Sequence, residues 1–167
     1  MPRIPFMDPL VLQIRADKKD VTRRLKRPRF KVGDLVDVCE ALVPHATDAN
    51  IAGRPSIAYR CDGTIAIGGH PRGPVVWPWQ VRVLAARYCP GWAVRTRIRI
   101  VDIREEGLVQ ISNEDVIREG VARIPSWSLH PFERPADGFT RMFRDMHKLD
   151  IGANPTVFRI EFKREAP

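Results

Sequence analysis

Lys18 to Cys39 runs KKDVTRRLKRPRFKVGDLVDVC: a short β-prone run, a basic loop, and a Gly-Asp turn into a second, clearly apolar run. Val21–Arg24 predicts a strand in which Thr22 and Arg24 share one face and Val21 and Arg23 the other, because side chains alternate along a strand. Residues 31–34 predict a turn, and Leu35–Cys39 predicts the next strand. Between Lys18 and Lys31 eight basic residues stand against one acid, Asp20, whereas the rest of the chain carries 20 basic and 19 acidic residues. The net charge of +8 and the pI near 10.0 are therefore local properties. Val21, Leu25 and Phe30 interrupt the basic run, as in an ordered, phosphate-facing surface rather than a solvated tail.

Working outward, Arg3–Met7 predicts a first strand. Asp8 and Pro9 supply a cap and a first-turn proline for a helix running to about Ala16, with Leu10, Val11 and Ile14 as its apolar stripe. From about Pro44 to Gly91 the chain is dense in proline and glycine, which predicts an elaborated loop region carrying short strands such as Ser56–Cys61. Arg95–Ile103 is the clearest strand: Arg95, Arg97 and Arg99 alternate with Thr96, Ile98 and Ile100. Ile100 and Val101 are adjacent apolar positions, which predicts a phase shift there, as at a bulge or barrel corner. Ser112–Asp115 opens a helix that Gly120 ends. Asp137–Leu149 predicts a further helix with Phe139, Met142, Phe143 and Met146 on one face, and Thr156–Phe162 a closing strand. Periodicity assigns Phe139, Phe143 and Phe158 to the core. Short strands that do not alternate strictly with helices predict an α+β fold, a small mixed β-barrel with two or three flanking helices.

A chain of 167 residues with 44% hydrophobic and 29% charged residues predicts one globular domain and excludes global disorder. No apolar run approaches the ~18 residues of a membrane-crossing helix, and Met1–Phe6 does not open like a secretion signal. Cys39, Cys61 and Cys89 are odd in number and lack the close spacing of paired metal ligands, so they read as reduced thiols of a cytoplasmic protein. Neither metal nor cofactor is expected, the membrane is not expected as a partner, and oligomeric state is not legible. By charge alone a localised cationic surface fits a polyanion such as nucleic acid or an anionic membrane surface, and charge does not choose between them.

The order Lys19-x-x-Thr22-x-Arg24 and then Val32-Gly33-Asp34-Leu35-Val36-Asp37-Val38 resembles the opening of the ASCH domain, a PUA-like β-barrel, whose motif reads approximately Gly-x-Lys-Thr-x-Thr-x-Arg before a Gly-Asp turn. Residues 89–95, 111–120 and 154–162 continue the similarity, which spans nearly the whole chain as a single domain, 1–167, with a Pro/Gly-rich insertion at about 42–88. It looks most like the longer ASCH proteins of phages and prophages, and the resemblance implies a nucleoside, nucleotide or RNA as the partner. The family is RNA-binding or nucleotide-handling. Its small bacterial members hydrolyse N4-acetylcytidine, and another bacterial member is a ribonuclease. The resemblance implies Lys19, Thr22 and Glu119 as catalytic residues of an amidohydrolase acting on N4-acylated cytidine. The chain departs from the motif at Asp17, where the motif has Gly, and at Asp20, where it has the first Thr. An acid beside Lys19 would favour its ammonium form and weaken it as a base.

The chemistry can be argued from the residues as well. Amide hydrolysis needs an activated nucleophile, a proton donor for the leaving amine and stabilisation of the oxyanion. A desolvated Lys19 can activate the Thr22 hydroxyl or a water, Glu119 can relay a proton to the amine, and Arg24 can hold an oxyanion or phosphate. Lys19 and Thr22 converge only if Lys19 lies in the turn before the strand. Asp115, one turn before Glu119, competes for the same helix face. For binding, Arg23, Arg24 and the Arg95, Arg97, Arg99 row are the candidate anion contacts, since three arginines without interspersed acids repel one another unless an anion joins them. Trp92 is the foremost base-stacking candidate, followed by Trp77, Trp79 and Tyr88. A non-catalytic RNA-binding module and a metal-independent ribonuclease are the alternative readings.

Overall fold

The computed structural model describes residues 1–45, 56–66, 77–121 and 133–165; parts of the predicted insertion at about 42–88 lie outside these. In chain order the described residues form β1 (Arg3–Pro5), α1 (Asp8–Arg15), β2 (Val21–Arg24), β3 (Leu35–Cys39), β4 (Leu42–His45), β5 (Ser56–Tyr59), β6 (Thr96–Gly107), α2 (Asn113–Arg118), α3 (Pro135–His147) and β7 (Thr156–Arg164). Five strands make a mixed sheet in the order β1-β3-β6-β7-β2, with β1 parallel to β3 and β2 antiparallel to β7. β4 and β5 make a separate antiparallel pair. The fold is α+β, as the irregular alternation of strands and helices requires. The sheet order ends on β1 and β2, and among the described residues no pairing closes it into a barrel.

Contacts divide the chain into two compact units, Met1–Leu12 with Leu35–Ile98 and Glu165–Pro167, and Gln13–Asp34 with Arg99–Arg164. The first unit has a core of Cys39, Leu42, Ile57, Tyr59, Trp77, Leu84, Cys89 and Ala93. The segment whose proline and glycine content predicts loops thus supplies much of that core. Its β4 was hidden because Pro44 sits inside a four-residue strand, a position that proline tolerates only where its missing N–H is not needed. The second unit packs Leu108, Ile111, Val116, Phe139, Phe143 and Val157. Each buried aliphatic or aromatic side chain in such a cluster contributes about 1.5 to 3 kcal/mol.

Several local expectations are corrected. In β6 the alternation runs unbroken through Val101, which is exposed, so the phase slips after it rather than at Ile100. In β7 Phe158 is only partly buried, whereas its neighbour Arg159 is 3% exposed. Met146 is exposed, because α3 turns its last apolar position outward. Arg95 precedes β6 and takes no part in a row on that strand.

Candidate active site in the second unit

The turn before β2 delivers Lys19. Helix α1 ends at Arg15, Asp17 then adopts φ 55°, and Lys18 N–H bonds back to the Gln13 carbonyl, so the chain reverses and sends the Lys19 side chain inward. Glu119 arrives from the other direction, as the C-terminal cap of α2. Ser112 starts that helix, its Oγ accepting from the Asp115 N–H at 3.0 Å, and Gly120 ends it at φ 76°. A side chain at Gly120 would bring its Cβ within 3.2 Å of Gln13 Cβ and Cγ and 3.3 Å of Lys19 Cβ. Glycine is therefore needed there twice over, for the turn and for the close approach.

Lys19 Nζ, 2% exposed as a residue, donates to the carbonyls of Val21 (2.5 Å) and Glu119 (2.8 Å) and to Glu119 Oε2 (2.8 Å). These three acceptors suit the N–H bonds of an ammonium. Burial lowers the Lys19 pKa; the Glu119 carboxylate opposes that shift, and the guanidiniums of Arg24 and Arg23 add to it. Of the three acceptors only Glu119 Oε2 can take the proton. The geometry thus allows one proton to pass between Nζ and Oε2 without leaving the buried pair.

Arg23 is the residue that the sequence reading places wrongly. Its side chain is fully buried and meets three carboxylates: Nε donates to Glu106 Oε1 (2.7 Å), Nη2 to Asp115 Oδ2 (2.5 Å) and Nη1 to Glu119 Oε1 (3.2 Å). It faces the interior rather than a polyanion. Arg159, opposite Arg23 in the β2–β7 register, holds Asp115 with two hydrogen bonds of 3.0 Å. Like charges directly across a ladder repel, and Asp115 accepts from both. Burial opposes ionisation of Asp115, but the hydrogen bonds from Arg159 and Arg23 outweigh it and hold that carboxyl at about 2. Asp20 does not act on Lys19 as its position suggests: both its oxygens accept from Arg118 at 2.9 Å, and Arg118 also pairs with Glu161. Sequence reasoning missed Glu106, Arg159 and Arg118. The available signal was the alternation that puts Val157, Arg159 and Glu161 on one face of β7.

Thr22 is 2% exposed and buried beside Arg23 on β2. The structure brings Lys19 and Glu119 together and leaves Thr22 adjacent in sequence but outside that contact. Arg24 is half-buried, its Nη1 grazing the Arg23 carbonyl at 3.5 Å. Burial lowers its pKa against the pull of Glu119, and burial followed by the charge of Arg24 lowers that of His147.

The remaining binding candidates make other contacts. Arg95 lies in the first unit, 3.6 Å over the Tyr59 ring, with Nε and Nη2 donating to Glu40 at 3.0 and 2.8 Å and Nη2 3.0 Å from Asp62. Burial pushes the Tyr59 hydroxyl up to about 12. Arg97 pairs with Asp37 at 3.2 Å, and Arg99 donates to the Gly33 carbonyl. Acids and carbonyls from outside the strand thus separate the arginines that the sequence leaves uncompensated. Trp92 packs half-buried against the first unit's core, and Trp77 and Trp79 meet edge to face at 4.8 Å within it. Tyr88 is exposed.

Among the described residues no group of three or more His, Cys, Asp or Glu is placed to hold a metal ion, and no helix is long and apolar enough to cross a membrane. Neither protein-family models nor curated proteins nor solved structures match this chain.

Proposed function

We propose that the second unit carries an amidohydrolase centre of ASCH type that removes the acyl group from N4-acylated cytidine, with Lys19 and Glu119 as its proton carriers. The observation that carries this reading is the buried contact of 2.8 Å between Lys19 Nζ and Glu119 Oε2, from residues 100 positions apart. Two further features support the resemblance. Asp17, at the motif's glycine, has the positive φ that glycine adopts most readily, and Asp20, at the motif's first threonine, is neutralised by Arg118.

The chemistry follows from the shared proton. With that proton moved to Glu119, the pair is a neutral amine and a carboxylic acid. The amine accepts the proton of the attacking oxygen, from Thr22 or a water, as that oxygen bonds to the acyl carbon. Glu119 gives its proton to N4 of cytosine as the C–N bond breaks, and the ammonium–carboxylate pair is restored. If Thr22 is the attacking group, a water then releases acetate from its ester. Arg24, half-buried and on the Thr22 face of β2, is the cation we assign to the developing oxyanion. Incubation with N4-acetylcytidine tests the reading: wild type is expected to release cytidine, with turnover abolished in Lys19→Arg, which keeps a cation but does not give up its proton at accessible pH. An inactive wild type contradicts it.

A non-catalytic RNA-binding role is the second reading. It is favoured by Lys26, Arg27, Arg29 and Lys31, all outside the buried network on the β2–β3 connection.

A further inference from the structure

Glu119 can serve Lys19 only if one of its oxygens is aimed, and a carboxylate at the end of a six-residue helix is poorly constrained by its own backbone. The constraint comes from β2. Arg23 presents three separate N–H edges to three carboxylates, on β6 (Glu106), within α2 (Asp115) and at its cap (Glu119). The first two contacts are the shorter, at 2.7 and 2.5 Å, and Asp115 is itself gripped by Arg159. They fix the plane of the guanidinium, and the third edge then meets Glu119 Oε1 at 3.2 Å. Oε2 is left directed at Lys19. Only a planar, forked cation can satisfy this geometry; an ammonium offers a single point of charge.

We propose that Arg23 is the positioning residue of this site: its buried guanidinium, anchored by Glu106 and Asp115, holds one oxygen of Glu119 so that the other meets Lys19. This rests on the reading of Lys19 and Glu119 as the reaction centre. Arg23 touches no reacting atom and acts through Glu119. Among the described residues, charged groups that face the pair include Arg23 and Arg24 from β2 and, through Arg23, Glu106 from β6, Asp115 from α2 and Arg159 from β7.

Charge and position make opposite demands on Lys19. Burial depresses its pKa, Glu119 restores part of it, and the field of Arg23 depresses it further. If Arg23 acted only as a charge, its removal would raise the Lys19 pKa. If it aims Glu119, its removal strands the buried ammonium and lowers that pKa.

The test is an NMR titration of the Lys19 side chain in the full chain, with the signal assigned by its disappearance in Lys19→Arg. In Arg23→Gln and Arg23→Lys the midpoint is expected to move down from wild type. With N4-acetylcytidine, kcat is expected to fall by about 100-fold in both variants with little change in KM, because Lys cannot replace the fork. A midpoint that rises in Arg23→Gln, or stays put in Arg23→Lys, overturns the proposal. If Arg23→Gln does not fold, the double variant Arg23→Gln, Glu106→Gln removes the carboxylate left unpaired and is read the same way. The titration needs no turnover, so a wild type inactive on N4-acetylcytidine overturns the assigned reaction and leaves the role of Arg23 to be decided by the midpoint.

Discussion

The proton between Lys19 and Glu119 gives the site its pH dependence. The working pair holds one proton, whichever partner carries it, and activity ends when that proton is lost to solvent. Because burial lowers Lys19 from its ordinary 10.5, the alkaline limb of kcat/KM is expected below that value, and a profile flat to pH 10.5 would contradict the assignment. Linkage runs the opposite way with pH: a lysine lowered in the folded state binds fewer protons than in the unfolded chain, so its contribution to stability improves as pH rises from the folded toward the unfolded value. Lys19, Thr22 and Glu119 are singled out by the resemblance to the ASCH motif; spacing and residue type alone do not pick them. Arg23 was misread as an outward cation because strand alternation tells which residues share a face, not which face is lined with acids. The acids came from residues 83 to 96 positions away, beyond the reach of local pattern.

Helix α2 has only six residues, too few to be stable without its caps and packing. Ser112→Ala removes the side-chain bond to Asp115 N–H and should cost about 1 kcal/mol, read from the urea midpoint. Gly120→Ala should cost more, about 1 to 3 kcal/mol from the positive φ alone, with crowding against Gln13 and Lys19 added. If the caps matter through Glu119, both variants are slower under conditions where they remain folded, and Gly120→Ala is the slower of the two. The serine cap and the terminal glycine were legible, as were β2, β3 and β7. β4 was not, because a proline within a four-residue strand gives the local signature of a loop and only its pairing with β5 shows otherwise.

Over the molecule the excess charge divides into two populations. Lys19 and Arg23 turn inward to carboxylates, whereas Lys26, Arg27, Arg29 and Lys31 lie outside the buried network. If RNA binds, these outer cations set the salt dependence: replacing Lys26, Arg27 and Arg29 with alanine should reduce the log–log salt slope by about 0.7 for each phosphate that is no longer neutralised. Arg23→Lys should leave the slope unchanged, and a slope that follows Arg23 instead would contradict its burial. The basic segment could be located in the sequence but not divided, since the division depends on where acids arrive from elsewhere in the fold. Strand β6 contributes residues to both compact units. The central claim is that Lys19 and Glu119 form a working proton pair, and the release of cytidine from N4-acetylcytidine tests it most directly. The account predicts steady turnover by wild type and none above background by Glu119→Gln at a temperature where both are folded; equal rates in the two proteins, or none in wild type, would contradict it.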